Sequence, residues 1–171
     1  MWPASGTWGS LPPVLLMAGL HMAGAGNGWM MVSMLVLAVL ACVACVRHGN
    51  SVERELRRKD PSEVVIDEVA GMAITLLVPM LVGTVVGAIQ GQPLGELMAV
   101  CMAPRPLWSM LATGFVLFRV TDIVKPPPAR GLQTVHAGWG ILLDDVFAGL
   151  YAGGSLAVIM LMVAGDPAPP G

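Results

Sequence analysis

The stretch Phe118-Arg119-Val120-Thr121-Asp122-Ile123-Val124-Lys125-Pro126 sets two cations and one anion three residues apart at the end of an otherwise apolar run. Ionisable groups near bilayer depth are costly and by default mark a functional site. Two carboxylate pairs, Asp67-Glu68 and Asp144-Asp145, stand at the starts of other apolar runs. Brought together, these five carboxylates repel one another unless a positive charge lies among them. A divalent cation is the natural candidate, and oxygen-only donors favour Mg2+, Mn2+ or Ca2+ over zinc. Mg2+ usually keeps waters and phosphate oxygens beside one or two protein carboxylates. Arg119, a planar fork, and Lys125, a point charge, match the phosphate oxygens that remain. The set suits a phosphate ester.

These residues need elements to position them. The chain has 171 residues, 56% of them hydrophobic and 12% charged, with a mean hydropathy of +0.75, a balance far from that of a soluble domain. It reads as an all-α, compact polytopic membrane bundle of four to five membrane helices joined by short cytoplasmic helices and loops. Residues 29–46, 69–89 and 146–164 are apolar runs each sufficient to cross about 30 Å of hydrocarbon. Residues 11–24, interrupted by Pro12-Pro13 and His21, and 108–124, whose last turn carries the charges, are expected to cross imperfectly or to line a cavity. Turns are expected at 24–28 and 90–106, with a firm stop at Pro126-Pro127-Pro128. Pro79 predicts a kink, and the Gly83, Gly87, Gly91 and Gly149, Gly153 spacings predict close helix packing. Residues 1–165 read as one membrane-embedded domain and 166–171 as a Pro-rich tail.

Topology gathers the charges. Segments 47–68 and 119–145 hold every charged residue except Glu96, Arg105 and Asp166. The chain crosses twice between them, so both lie on one side, which their Lys and Arg content makes cytoplasmic. If residues 11–24 also cross, the strip Ser5-Gly6-Thr7-Trp8-Gly9-Ser10 joins them. There Gly6, Thr7, Gly9 and Ser10 offer backbone N–H and hydroxyl donors to an anion ahead of a helix.

Helix ends alone select charge signs, and this accounts for an acidic pair at a helix start and for Arg119 and Lys125 near a helix end. Asp122 has the wrong sign for its place. Arg119 and Lys125 are its candidate partners along one face, a structural ion pair that competes with the polar-site reading. The carboxylate pairs share another feature: Gly71 follows Asp67, and Gly149 follows Asp145, by four residues, which lets a backbone or ligand approach the acidic face. Asp60-Pro61-Ser62-Glu63 reads as a helix start, and His48 and His136 as loop residues. Cys42 and Cys45 have redox spacing but sit in an apolar run as small packed hydrophobes, and Cys101 has no zinc-ligand neighbours. The formal net charge of -2 argues against a nucleic-acid partner. No secretory signal peptide is evident, so the N-terminus is expected to be retained.

Four blocks then resemble the phosphatidylglycerophosphatase A family of bacterial membrane lipid phosphatases. Ser5-Gly6-Thr7-Trp8-Gly9-Ser10-Leu11 is similar to its first strip, with Ser5 where the family has Pro. Asp60, Val64-Val65, Asp67-Glu68 and Gly71 are similar to its second block, and Phe118-Arg119, Asp122, Lys125-Pro126 and Pro128 to its third. Gly138, Gly140-Ile141, Asp144-Asp145 and Ala148-Gly149 are similar to its fourth. Relatives carry a longer leader ahead of the first strip. The resemblance implies Mg2+-dependent removal of the terminal phosphate of phosphatidylglycerophosphate, in phospholipid biosynthesis, at the cytoplasmic face of the bacterial inner membrane.

On this reading Asp67, Glu68, Asp144 and Asp145 hold Mg2+, directly or through water, together with Asp122, while Arg119 and Lys125 stabilise phosphoryl charge. The nucleophile is either activated water or a carboxylate, foremost Asp122. The alternative from another class is a small cation-coupled transporter or channel, which demands polar groups deep in several spans. A phosphatidyl transferase would need a spaced Asp-Gly-Ala-Arg pattern that the chain lacks.

Overall fold

The computed structural model of the protein describes residues 5–56, 65–91, 104–127 and 138–164. Among them the chain is all helix: α1 (Ser5–Met22), α2 (Asn27–Leu56), α3 (Ile66–Ile89), α4 (Pro104–Val124) and α5 (Gly138–Ala164). Four helices are long and apolar enough to cross a membrane, over Asn27–Arg47, Ile66–Ile89, Leu107–Val124 and Leu142–Val163. The protein is a membrane protein. Helix α1 does not meet the same measure, although it forms a continuous helix through Pro12 and Pro13.

Helix boundaries run past the apolar runs, because backbone hydrogen bonding does not stop where hydrophobicity does. Helix α2 extends to Leu56 through charged sequence that had been expected to be loop. Helix α4 begins at Pro104 rather than in a loop reaching 106; a proline is tolerated in the first turn, where its missing N–H has no partner to lose. The strip at 5–10 is likewise the first turns of α1 and not a loop. His48, read from the sequence as a loop residue, instead lies in α2, because the helix's backbone hydrogen bonding runs on past the apolar stretch. Asp60, Cys101, His136 and the tail at 166–171 lie outside the described structure.

Helix ends follow backbone chemistry. Gly24, at φ 74°, closes α1: its N–H reaches His21 O at 3.0 Å, and Ala25 N–H reaches Leu20 O at 2.9 Å. That pair of bonds is the left-handed glycine stop of a Schellman motif. Gly91, at φ 68°, ends α3 and donates to Ala88 O at 3.2 Å. Of the glycines expected to pack helices, Gly91 is therefore a terminator, and Gly83 has nothing within 4 Å of where a Cβ would stand. The packing role belongs to Gly149 and Gly153.

The centre of the bundle is the crossing of α3 and α5. Lipid is as apolar as leucine, so helices associate in membranes by close packing and hydrogen bonds rather than by hydrophobic burial. Here Gly71 and Thr75 on α3 interlock with Gly149 and Gly153 on α5. A Cβ at Gly149 would collide with the carbonyl oxygen of Gly71, and one at Gly71 would lie 2.7 Å from Asp145 O. Thr75 is wholly buried, with its hydroxyl 3.0 Å from Gly71 O and 3.4 Å from Gly149 O. Pro79, inside α3, has no N–H to give Thr75 O. The Cβ position of Gly153 lies 3.1 Å from that carbonyl, so α5 covers the group that the proline leaves without its helical donor. Phe118 of α4 is fully buried against Gly71, with Met72, Leu76, Met110 and Leu156 in the same core.

Candidate functional site

Helices α3 and α5 carry the acidic pairs. Asp67 and Glu68 fall in the first turn of α3, where the helix dipole favours anions, and Asp67 Oδ1 accepts the Glu68 N–H at 3.1 Å. Asp144 and Asp145 do not share that explanation. Helix α5 starts at Gly138, so they sit almost two turns inside it, and both are buried. Burial without the benefit of a helix start demands another reason for the charge.

The Gly71–Gly149 contact provides the geometry. It brings Asp145 of α5 beside Asp67 and Glu68 of α3, so that one carboxylate oxygen from each lies within 4.8 Å of the others. Neither Glu68 Oε2 nor Asp145 Oδ2, both buried, accepts a hydrogen bond among the described residues. Like charges so placed repel at close range in a medium that screens poorly. Opposite ligands of Mg2+ stand about 4.2 Å apart, twice the Mg–O distance. Three hard oxygen donors within 4.8 Å of one another, two of them with no hydrogen-bond partner among the described residues, fit a divalent cation of the Mg2+ type.

The cations form the next tier. Arg119 Nη1 donates to Asp122 Oδ2 at 2.7 Å, and Lys125 Nζ pairs across the helix interface with Asp144 Oδ2. Sequence spacing alone had left Lys125 equally able to pair with Asp122, and the fold sends it to α5 instead. The side chains of Arg119 and Lys125 are 22% and 26% exposed, whereas Asp145 is 4% exposed. Arg119 and Lys125 are thus more open to solvent than Asp145. Asp122 stays within electrostatic reach of Glu68 and Asp145.

Lys125 occupies an unusual backbone position. Its φ of 50° is left-handed, the conformation helices normally give to glycine after their last turn. The Lys125 N–H reaches Thr121 O at 2.8 Å, and Pro126, having no N–H, cannot add the second bond of a Schellman stop. A side chain at this backbone angle costs about 1–2 kcal/mol relative to glycine. Such outliers persist where their surroundings hold them and cluster at functional sites.

Thr121 and Tyr151 belong to the arrangement and were not singled out by sequence reasoning. The Thr121 hydroxyl stands 2.9 Å from Leu117 O, 3.0 Å from Phe118 O and 3.0 Å from Ala148 O across the interface with α5. It pins the charged turn of α4 to the acidic helix. Tyr151 Oη donates to Pro127 O at 2.7 Å. The one available signal was its uniqueness, for it is the single tyrosine of the chain.

The comparisons with known proteins bear on the family. The family model for phosphatidylglycerophosphatase A matches residues 1–160. The chain belongs to that family. Among curated relatives, the phosphatidylglycerophosphatase A of Escherichia coli strain K12 is 29% identical over 132 residues, 77% of this chain and 62% of the relative. That of Haemophilus influenzae is 29% identical over 151 residues, 88% of this chain and 75% of the relative. A Bacteroides thetaiotaomicron protein named "Putative phosphatidylinositol-3-phosphatase" is 34% identical over 116 residues, 68% of this chain and 58% of the relative. The chain thus spans about three fifths of the length of the first and last of these three. No solved structure matches.

Within this member of the phosphatidylglycerophosphatase A family, the first block touches the acidic group directly. The Cβ position of Gly9 lies 2.9 Å from Val65 O and 3.0 Å from Glu68 Oε2, and Ser10 is fully buried beside it. Gly6 and Thr7 lie in the opening turn of α1, whose first N–H groups have no partner within the helix. Gly9 differs from them in making room for Glu68. A Gly9→Ala variant is expected to push the Glu68 carboxylate aside and weaken divalent-cation binding by about 10–100-fold, the range for disturbing a ligand's support. Mn2+ titration followed by electron paramagnetic resonance checks this, and unchanged affinity would sink it.

Proposed function

We propose that the protein hydrolyses the terminal phosphomonoester of phosphatidylglycerophosphate, giving phosphatidylglycerol and inorganic phosphate, with Mg2+ held by Asp67, Glu68 and Asp145. The observation that carries this reading is the largely buried three-carboxylate group, with Arg119 and Lys125 held nearby in sequence and fold by Asp122 and by Asp144, the neighbour of Asp145. Membership of the phosphatidylglycerophosphatase A family supports it. Mg2+, when bound, supplies Lewis-acid stabilisation of phosphoryl charge.

The chain's own groups do the rest. Asp122 and Asp144 hold Arg119 and Lys125 in place, and each cation keeps further N–H donors for the phosphate oxygens. These groups are positioned before substrate arrives, so little reorganisation is needed as charge develops. Asp144 acts through Lys125 and stands beside the three-carboxylate group. Asp122, paired with Arg119 and within electrostatic reach of Glu68 and Asp145, either orients the attacking water or attacks phosphorus itself. With water as the nucleophile, its oxygen bonds to phosphorus, the P–O bond to glycerol breaks, and the proton that the water loses goes to the departing alkoxide. With Asp122 as the nucleophile, the same P–O bond breaks to leave an aspartyl phosphate and an alkoxide that takes its proton from water, and a second water then cleaves the aspartyl phosphate to release inorganic phosphate and restore Asp122.

The proposed setting is the bacterial cytoplasmic membrane, with the site on the side where Lys and Arg accumulate. A cation pathway would need polar side chains along the spans. Among the described residues the buried interior is apolar apart from Ser10, Asp67, Thr75, Asp144 and Asp145, and only Thr75 stands away from the acidic end.

The test is phosphate release from phosphatidylglycerophosphate by purified protein with and without Mg2+, beside phosphatidylinositol 3-phosphate as a second substrate. Asp122→Asn is expected to lower the rate by about 100-fold, the scale of losing one positioned electrostatic group. Equal release by wild type and variant would overturn the role given to Asp122. Faster release from the inositol lipid would move the substrate assignment to the activity named for the Bacteroides relative.

A further inference from the structure

We infer that Tyr151 is a positioning residue for Lys125, anchoring the segment after α4 to α5; its kinetic consequence rests on the phosphatase reading above. Lys125 follows the last residue of α4 with a left-handed φ of 50°, and three prolines come next. Prolines have no N–H, so residues 126–128 cannot donate backbone hydrogen bonds that would fix their path. Their carbonyls can only accept. Tyr151 supplies such a donor, its hydroxyl reaching Pro127 O at 2.7 Å.

Helix α5 therefore grips the segment twice. Asp144 takes the Lys125 ammonium and Tyr151, seven residues further along α5, takes the backbone two residues beyond Lys125. Residues seven apart lie on nearly the same face of a helix, two turns from one another. The first grip involves a charge that phosphate will compete for. The second does not, because a carbonyl accepting from a neutral phenol keeps its partner when an anion arrives. Tyr151 thus keeps Lys125 at the site while its ammonium exchanges Asp144 for substrate oxygens. The ring also suits this depth, with an apolar body toward lipid and a hydroxyl that needs a partner there.

Two measurements on full-length protein in detergent test this. Tyr151→Phe keeps the ring and removes only the donor. Hydrogen exchange of the Lys125 amide, bonded to Thr121 O, is expected to quicken about three- to tenfold, the scale of one neutral hydrogen bond. The turnover number should fall by a similar factor with the substrate KM nearly unchanged. In a Lys125→Ala background the same substitution should cost nothing further, since two residues acting through one interaction are not additive. Unchanged exchange, or a loss that adds fully to that of Lys125→Ala, would overturn the inference. If the wild type releases no phosphate from either lipid, the phosphatase reading fails, while the exchange comparison still decides whether Tyr151 fixes Lys125.

Discussion

Asp145→Asn is expected to lower lipid-phosphate release by on the order of 10³-fold while leaving the bundle folded, the upper range for removing one preorganised electrostatic group. Asparagine keeps the volume and shape of the side chain but removes one of three charges whose oxygens lie within 4.8 Å. Asp145 is the most informative of the three because α5 gives it no helix-start benefit. Its charge has no structural purpose that asparagine would fail. Without Mg2+ the variant should therefore melt at or above the wild-type temperature, since a buried repulsion has been relieved. With Mg2+ the wild type should gain stability by mass action and the variant should not. A variant that hydrolyses lipid at about a tenth of the wild-type rate or faster, or that is still stabilised by Mg2+, would contradict the site.

Gly149→Ala is expected to be the most damaging glycine-to-alanine change among the described residues. Its methyl group would meet the backbone of Gly71, with the carbonyl carbon and Cα both at 3.1 Å and the oxygen closer still. Backbone cannot rotate aside as a side chain can, so α3 and α5 must part. Overpacking costs about 1–3 kcal/mol where side chains can yield, and this contact has none to yield. The Thr75 bond to Gly149 O and the approach of Asp145 to Asp67 and Glu68 would go with it. Thermal unfolding in detergent, run beside Gly83→Ala, separates this from a general intolerance of alanine. Gly83 has open space around it, and alanine there should be neutral or stabilising by up to about 1 kcal/mol. Equal stability of the two variants would refute the close-contact account.

Much of the arrangement could be read from residue order, and the limits are physical. Apolar run length located three of the four spans, because crossing hydrocarbon is a local requirement on composition; the fourth, Leu107–Val124, had been expected to cross imperfectly because its last turn carries charge. The blocks around Asp67, Asp122 and Asp145 stood out as candidates because charge in apolar sequence is costly wherever it falls. Pairing was not legible. Lys125 lies three residues from Asp122, yet its partner is Asp144 on another helix, a choice made by the Thr121 contact with Ala148 and the left-handed turn at Lys125. The glycines one turn beyond Asp67 and Asp145 suggested close approach by either a ligand or a backbone. In the fold it is each other's helix that approaches. Gly9 looked like a donor of backbone N–H to an anion, and its contact with Glu68 became visible only once α1 was placed against α3.

The acidic group joins two helices far apart in the chain, and that separation carries a meaning in time. Asp67 and Glu68 are made first, on α3, and their companion Asp145 belongs to α5. At about 5–20 residues per second, some 4–15 s of synthesis pass between them. Throughout that interval the nascent protein has a membrane anchor and half a site. No shortened product that stops before α5 can gather the three carboxylates, so the group is complete only once α5 has been made.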